Sequence, residues 1–376
     1  MQKNPIYIFL FLLLLIGKMT SVASVEASDL FEMDIREVEE EVIWGLDFLG
    51  TQDEILFTTR SGDIYLYSIS ENKKTKIKHD LKIKVNGQGG LLDLLVDGDD
   101  ILLTYSLGLN RGEITTALYK GKLNRKENKL VGQDLFVAKT SSSTGYHFGS
   151  RVIVYDDSYL MSVGERGVRE EAQSLKNHHG KIIRITKEGK PHPANPFKDA
   201  PFIYSYGHRN PQGLALDLNN KTIFSTEFGP QGGDELNIIQ KGKNYGWPSI
   251  TYGREYYGPK IGPTHKKGME QPLHYWVPSI SPSGLMIYKG DHFPAWKGDL
   301  FLANLSSRHL RRVTLNKDRS KVIDEKEYLK EQKERLRVIK ESPQGHIVIG
   351  TDSGKIIILS LKKSKNTKSS KSSKDS

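Results

Sequence analysis

A short apolar run, a polar turn and a second apolar run recur six times along this chain of 376 residues, and that recurrence constrains the fold more than any other feature. The copies are "GLDFLGTQDEILFTTRSGDIYLYSI" (45–69), "GLLDLLVDGDDILLTYS" (90–106), "SRVIVYDDSYLMSVGERG" (150–167), "GLALDLNNKTIFSTEFGP" (213–230), "GLMIYKGDHFPAWKGDLFLANLSSRHLRRVTL" (284–315) and "RVIKESPQGHIVIGTDSGKIIIL" (337–359). Each holds two or more segments of strand length, with Asp, Asn or Gly at the turn between them. Helical periodicity is nearly absent. The best helical stretch is the charged segment 323–335, and "REEAQSL" (169–175) has room for a turn or two. Hairpins returning at spacings of several tens of residues predict an all-β chain, a six-bladed β-propeller with one repeat to each blade. Two β-sandwich domains are the alternative, but they give no reason for the same hairpin to return. In a propeller the innermost strands begin near the central channel, and loops on one face build the site.

The repeats set the expected domain at 28–361. Before it, residues 1–27 carry a Lys, a continuous apolar run from Pro5 to Gly17 and then the small residues Ala23, Ser24 and Ala27. That run is short for a membrane span and suits a secretory signal peptide cleaved near Ser24 or Ala27. An uncleaved anchor is the alternative. The expected mature chain is therefore exported, periplasmic or secreted, with no integral membrane domain. After the domain, the Lys/Ser-rich tail 362–376 has the composition of a disordered segment. The formal charge is +10, but the tail holds six Lys and one Asp and residues 1–27 hold two Lys and one Glu, which leaves +4 for the body. That excess is too small to argue for a nucleic-acid face. No cysteine is present, so disulfides, thiolate nucleophiles and thiolate metal sites are excluded.

Five polar loops sit at equivalent places beside the repeats. "NGQGGLLD" (86–93) offers Gln88, "GYHFGSR" (145–151) offers His147, and "GERG" (164–167) offers Glu165. "GHRNPQG" (207–213) displays Arg209 and Asn210 on a loop stiffened by Pro211, and "RLR" (335–337) offers Arg335 and Arg337. If the repeats are blades, these side chains converge on one cavity. Arginines in a concave site suit an anionic ligand bearing carboxylates, because the guanidinium fork bonds carboxylate oxygens in pairs. A histidine held by a carboxylate is a general-base arrangement. Taken singly, His147 is also what a hydrogen-bonded structural histidine looks like, and Arg335 and Arg337 also fit an exposed strand face. His208 reads as a packed structural neighbour of the displayed pair.

The stretch "GHRNPQGLALD…STEFGPQGGDELNIIQKGKNYGWPSITYG" (207–253) resembles the signature region of the soluble PQQ-dependent aldose sugar dehydrogenase family, the glucose/sorbosone dehydrogenases. "GQGGLLD", "HFGSR", "SVGERG", "WVPSISPSG" and "RLRV" are similar to further family motifs and stand in the family order. The resemblance implies a six-bladed propeller and an enzyme that oxidises an aldose at C1 to a lactone, with PQQ and Ca2+ as cofactors. It implies His147 as the base, Glu165 as its orienting carboxylate and Arg209 as stabiliser of charge on the quinone. It places Gln88, Arg209, Asn210, Trp276, Ser279, Arg335 and Arg337 against quinone or substrate. It assigns the carbonyls of Gly229 and Pro230 to the calcium that touches the quinone. Asp234, Glu235 and Tyr245 match mouth contacts and a second, structural calcium site. The implied partners are a small-molecule sugar and an electron acceptor that the sequence does not name.

The chain departs from the family pattern at four places. Phe228 stands where His or Gln is common, Glu165 replaces the usual Asp, and Val338 replaces a common Asp. Segment 303–310 lacks a lysine found in some relatives, with Arg308 as the cation available there. A propeller that binds a carbohydrate or protein ligand at the same mouth without catalysis is the second reading. A calcium-dependent hydrolase ranks behind both, since no cluster of carboxylate ligands is evident at the channel. A Rossmann reading fails, because no G-x-G-x-x-G follows a strand and "GPQGG" stands in a strand-to-loop context without a following helix.

Overall fold

A computed structural model describes residues 30–140 and 142–362. The expected signal segment, and all of the tail except Lys362, lie outside the described residues. Among the described residues, twenty-four strands, β1 to β24 in chain order, form six four-stranded sheets. The innermost strands are β2 (Ile43–Phe48), β6 (Leu91–Asp97), β10 (Gly149–Tyr155), β14 (Pro211–Asp217), β18 (Pro282–Ile287) and β22 (Leu336–Glu341). Each lies against the next, and β22 returns to β2, so the sheets close into a ring of six blades. Five blades are runs of four consecutive strands. The sixth takes its outermost strand from the other end of the chain: β1 (Phe31–Glu37) pairs antiparallel with β24 (Lys355–Leu361), Phe31 opposite Leu361.

The six repeats map onto the inner strands of the six blades. Their apolar runs are continuous because each sheet is covered by its neighbours on both faces. The core accordingly lies between blades. Leu56, Ile64 and Ile77 of the first blade pack with Leu94, Leu103 and Tyr105 of the second. Ala215 and Phe224 of the fourth pack with Leu285, Leu302 and Val313 of the fifth.

One irregularity repeats with the blades. Every inner strand carries a β-bulge near its start, at 43–45, 91–94, 149–152, 211–213, 282–285 and 336–338. A bulge bends the strand and re-aims the extra side chain. Trp44, Arg151, Gln212 and Arg337 all stand at such positions.

The segment 323–335 is not helical. Its first part is the strand β21 (Val322–Tyr328), and Lys330–Gln332 is a single 3-10 turn. As the outermost strand of the fifth blade, β21 leaves Asp324 and Lys326 exposed and pairs half-buried Glu325 and Glu327 with Arg311, so its charged sequence mimics a solvated helix. "REEAQSL" contributes one 3-10 turn, Arg169–Gln173.

Candidate active site

The polar loops meet at one end of the channel. A cavity of about 580 Å³ is walled there by Gln88, His147, Arg209, the 228–232 loop, Arg254 and Tyr256, together with 277–279 and Ser281 and Ser306. A second cavity, of about 220 Å³, shares Gln88 and Phe228 with it and adds Trp44, Arg60, Asn210, Arg335, Arg337 and Asp352. The loops fit because glycines let backbones touch. A Cβ on Gly164 would stand 1.9 Å from the carbonyl oxygen of His147, and one on Gly87 would stand 2.4 Å from that of Gly145.

His147 adopts a left-handed backbone, φ 58°. The Gln88 side-chain oxygen accepts its N–H at 2.9 Å. Its ring Nδ1 is hydrogen-bonded to Glu165 Oε1, which leaves Nε2 as the ring nitrogen that Glu165 does not engage. Glu165 is buried at 1% exposure, and its N–H donates to the Arg209 carbonyl at 2.8 Å. Its Oε2 finds no partner. Burial lowers the His147 pKa, and the charges of Arg209 and Arg166 push the same way against the pull of Glu165. The result is a neutral imidazole backed by a carboxylate, able to take a proton.

Arg209 is 5% exposed and spends Nη1 on the carbonyls of Phe228 (3.0 Å) and Gly229 (2.9 Å). Its Nε has no partner, and its guanidinium stands 5.3 Å from the Trp247 ring. Burial lowers its pKa. Asn210 borders the smaller cavity but also works as a brace, its Oδ1 accepting from Gly149 N–H (3.1 Å) and Gln212 Nε2 (3.3 Å). His208 packs as expected, fully buried between Ser205 and Glu227, with its ring stacked on Tyr245 at 4.6 Å.

Arg335 and Arg337 arrive together but are not free. Both bind Asp352, Arg337 through Nε (2.7 Å) and Nη2 (2.9 Å) and Arg335 through Nε (2.8 Å). One carboxylate against two guanidiniums leaves a net positive charge. The Arg335 side chain stays 44% exposed. The larger cavity has Arg209 and Arg254 and no acidic residue in its wall. That charge pattern, with the unpartnered Arg209 Nε, fits a ligand carrying several carboxylates.

Asp234 ties the mouth together. It is fully buried and accepts from Gly229 N–H (2.9 Å), Ser279 Oγ (2.6 Å), Ile280 N–H (2.8 Å) and Ser281 N–H (2.7 Å). Ser279 thus reaches the cavity wall with its hydroxyl already donated. Trp276 does not reach it. It ends β17 (His274–Trp276), is buried in the core between the fourth and fifth blades, and its indole N–H donates to Glu325 at 3.0 Å. The next residue, Val277, just past the end of the strand, borders the cavity instead.

For a cation, the described residues hold no group of three or more His, Cys, Asp or Glu placed to bind one. Gly229 and Pro230 border the larger cavity, but the Gly229 carbonyl already accepts from Arg209. A calcium ion there would have to share that carbonyl oxygen with the guanidinium. Glu235 fits a cation better. Burial and the charges of Glu227 and Asp234 push its pKa up to about 8, and Asn237 Nδ2 bridges the Glu227 and Glu235 carboxylates at 3.0 Å each. Tyr245 and Glu235 border one small pocket, but the Tyr245 hydroxyl donates to the Ile238 carbonyl at 2.6 Å and accepts the Gln240 N–H at 2.8 Å, which leaves its backbone carbonyl as the oxygen it can offer.

Reading the sequence missed Asp352, Arg254, Tyr256 and Arg60 as wall residues. Asp352 had a signal, a lone acid at the turn after the last repeat's second strand. Arg254 and Tyr256 lie in "TYGREYYG", a Gly- and Tyr-rich loop without periodicity. Arg308 is exposed and outside both cavity walls.

A closed six-bladed ring with a histidine–carboxylate pair beside an arginine-walled cavity defines a β-propeller with a polar site at one end of its channel. Residues 40–359 match the family model described as Glucose / Sorbosone dehydrogenase. The aldose sugar dehydrogenase YliI of Escherichia coli is 35% identical over 333 residues, covering 84% of this chain and 89% of that protein. The crystal structure of the soluble aldose sugar dehydrogenase from Escherichia coli in the apo form aligns with a TM-score of 0.82 at 32% identity, over 88% of this chain and 99% of that one. Quinoprotein glucose dehydrogenase B of Acinetobacter calcoaceticus is 26% identical over 307 residues, or 62% of this chain and 64% of that protein. The chain belongs to the glucose/sorbosone dehydrogenase family, the PQQ-dependent sugar dehydrogenases.

Proposed function

We propose that this chain oxidises the C1 hydroxyl of an aldose to the lactone, with His147 as general base. The hydroxyl proton passes to His147 Nε2, and Glu165 at Nδ1 stabilises the imidazolium that forms. PQQ, when bound, supplies the acceptor for the hydride leaving C1. Arg209 and Arg254 in the larger cavity and Arg335 in the smaller one would face its carboxylates, and Gln88, which borders both, and Asn210 would line the way to it. Phe228 adds a flat apolar face to the same wall. Calcium at the Gly229 and Pro230 carbonyls is part of this reading, since hard cations take oxygen donors, and a second calcium belongs at Glu235 and the Tyr245 backbone. Residues 1–27 support export to the periplasm or medium, and the 28–361 propeller is the working domain. Among the described residues no helix is long and apolar enough to cross a membrane.

The observation that carries the reading is the His147–Glu165 pair facing a cavity whose charged side chains are all arginines. Titrating calcium-free protein with PQQ and Ca2+, following quinone absorbance and then adding a panel of aldoses, tests it. Calcium-dependent binding followed by bleaching with a sugar is the expected result. No binding at micromolar PQQ, or no bleaching with any aldose, overturns it.

A further inference from the structure

Arg166 is a buried cation that the reaction just described does not use. It is fully buried, and its guanidinium lies over the Phe148 ring at 3.4 Å. Nη1 donates to the Tyr146 carbonyl, and Nη2 donates to the carbonyls of Thr144 (2.8 Å) and Ile114 (3.2 Å). In return its own carbonyl accepts from Ser142 Oγ (2.6 Å) and Thr144 Oγ1 (2.7 Å). These hydrogen-bond partners are neutral. The acid whose charge it feels is its chain neighbour Glu165, and burial brings its pKa down to about 10.

All but one of these contacts fall on 142–148, the loop that carries His147. The residue before His147 is held by its carbonyl and the residue after it by its ring. The carboxylate that pairs with His147 is attached to Arg166 through the chain. We propose that Arg166 is a positioning residue that sets the geometry of the His147–Glu165 pair by clamping the loop of one to the loop of the other. The inference rests on reading His147 as the base. A lysine cannot replace it, because the clamp needs a planar group that stacks on Phe148 while its two ends reach different carbonyls. The charge has a second effect. His147 is faced by Glu165, Arg209 and Arg166, with Gln88 at its backbone and the Tyr146 ring at 5.2 Å. Burial is the first cause of its lowered pKa, and the Arg209 and Arg166 charges add to it against Glu165.

Arg166→Lys keeps the charge and breaks the clamp, while Arg166→Met loses both. In Arg166→Lys we expect kcat to fall at least about tenfold, up to the roughly 100-fold that a ~1 Å misplacement produces, with KM little changed. In Arg166→Met the His147 ring, followed by NMR in cofactor-free protein, should also titrate at higher pH than in the wild type. Thr144→Val removes one bond to the Arg166 carbonyl and should lower kcat in the same direction by less, which keeps the test open if neither arginine variant folds. Wild-type kcat in folded Arg166→Lys, or in Thr144→Val where the arginine variants do not fold, overturns the proposal. An unmoved His147 titration in folded Arg166→Met overturns the charge effect. A wild-type protein inert toward PQQ and aldoses sinks the enzymatic reading, and the Arg166→Met titration still decides whether the Arg166 charge acts on His147.

Discussion

Replacing Glu165 by Gln removes the negative charge behind His147 and keeps an oxygen able to accept from Nδ1. The pair is made by a carboxylate 1% exposed and an imidazole 14% exposed, so solvent screens it little. A hydrogen bond to a charged group contributes about 1.5–3 kcal/mol net. That contribution is largest when the imidazole has accepted the proton, so its loss appears in kcat. At 1.36 kcal/mol per factor of ten, kcat should fall by roughly 10- to 150-fold, with KM nearly unchanged. The pH profile gives an independent check. Burial lowers the His147 pKa and Glu165 opposes that shift, so removing the charge lowers the pKa further. The acid limb of kcat/KM therefore moves to lower pH while the plateau drops. Stability should change little, because losing the buried charge is offset by an amide N–H left without an acceptor where Oε2 now stands. The assay is steady-state sugar oxidation with a dye acceptor across pH, beside a denaturant melt. A folded Glu165→Gln protein with wild-type kcat, or an acid limb that moves upward, would falsify the base assignment.

Asp234→Asn places an amide donor among four donors that now point at one carboxylate, and should destabilise the fold by about 1–3 kcal/mol in urea titration, loosening the mouth loops as well. Chelating calcium should lower the wild-type Tm, and Glu235→Gln should remove most of that dependence; an equal response in both proteins would clear Glu235 of cation binding. His178, whose Nδ1 accepts the Lys139 N–H at 2.9 Å, has its pKa lowered to about 4 by burial, with Lys139 and Lys181 adding to the shift. The unfolded chain binds this proton from about pH 6.5 downward and the folded chain only near pH 4, so stability is lost as pH falls through that window. His178→Gln should flatten this part of the stability curve, as read by urea melts at several pH values.

The blades were legible because their cause is local. Apolar residues alternate or run together over a few positions, Asp, Asn and Gly mark the turns, and six copies repeat. The outer strands were harder to see. β21 shows a charged sequence because one of its faces meets water, and β1 finds its partner at the far end of the chain, Phe31 beside Leu361. No local pattern encodes a pairing across that separation. The site divided in the same way. His147, Glu165, Arg209 and Gln88 were visible as polar residues on loops at equivalent places in the repeats. Asp352 holding both Arg335 and Arg337, Asp234 gathering four donors, and Arg166 gripping the loop of the base were not visible. Trp276, expected at the cofactor, faces the core instead. By itself the sequence determined an all-β ring of six and the identity of the polar loops, because periodicity and turn chemistry act between near neighbours. Only the tertiary structure decided which side chains meet, because closing the ring brings distant loops together, while a bulge or a one-residue step on each strand turns a side chain from the channel to the core.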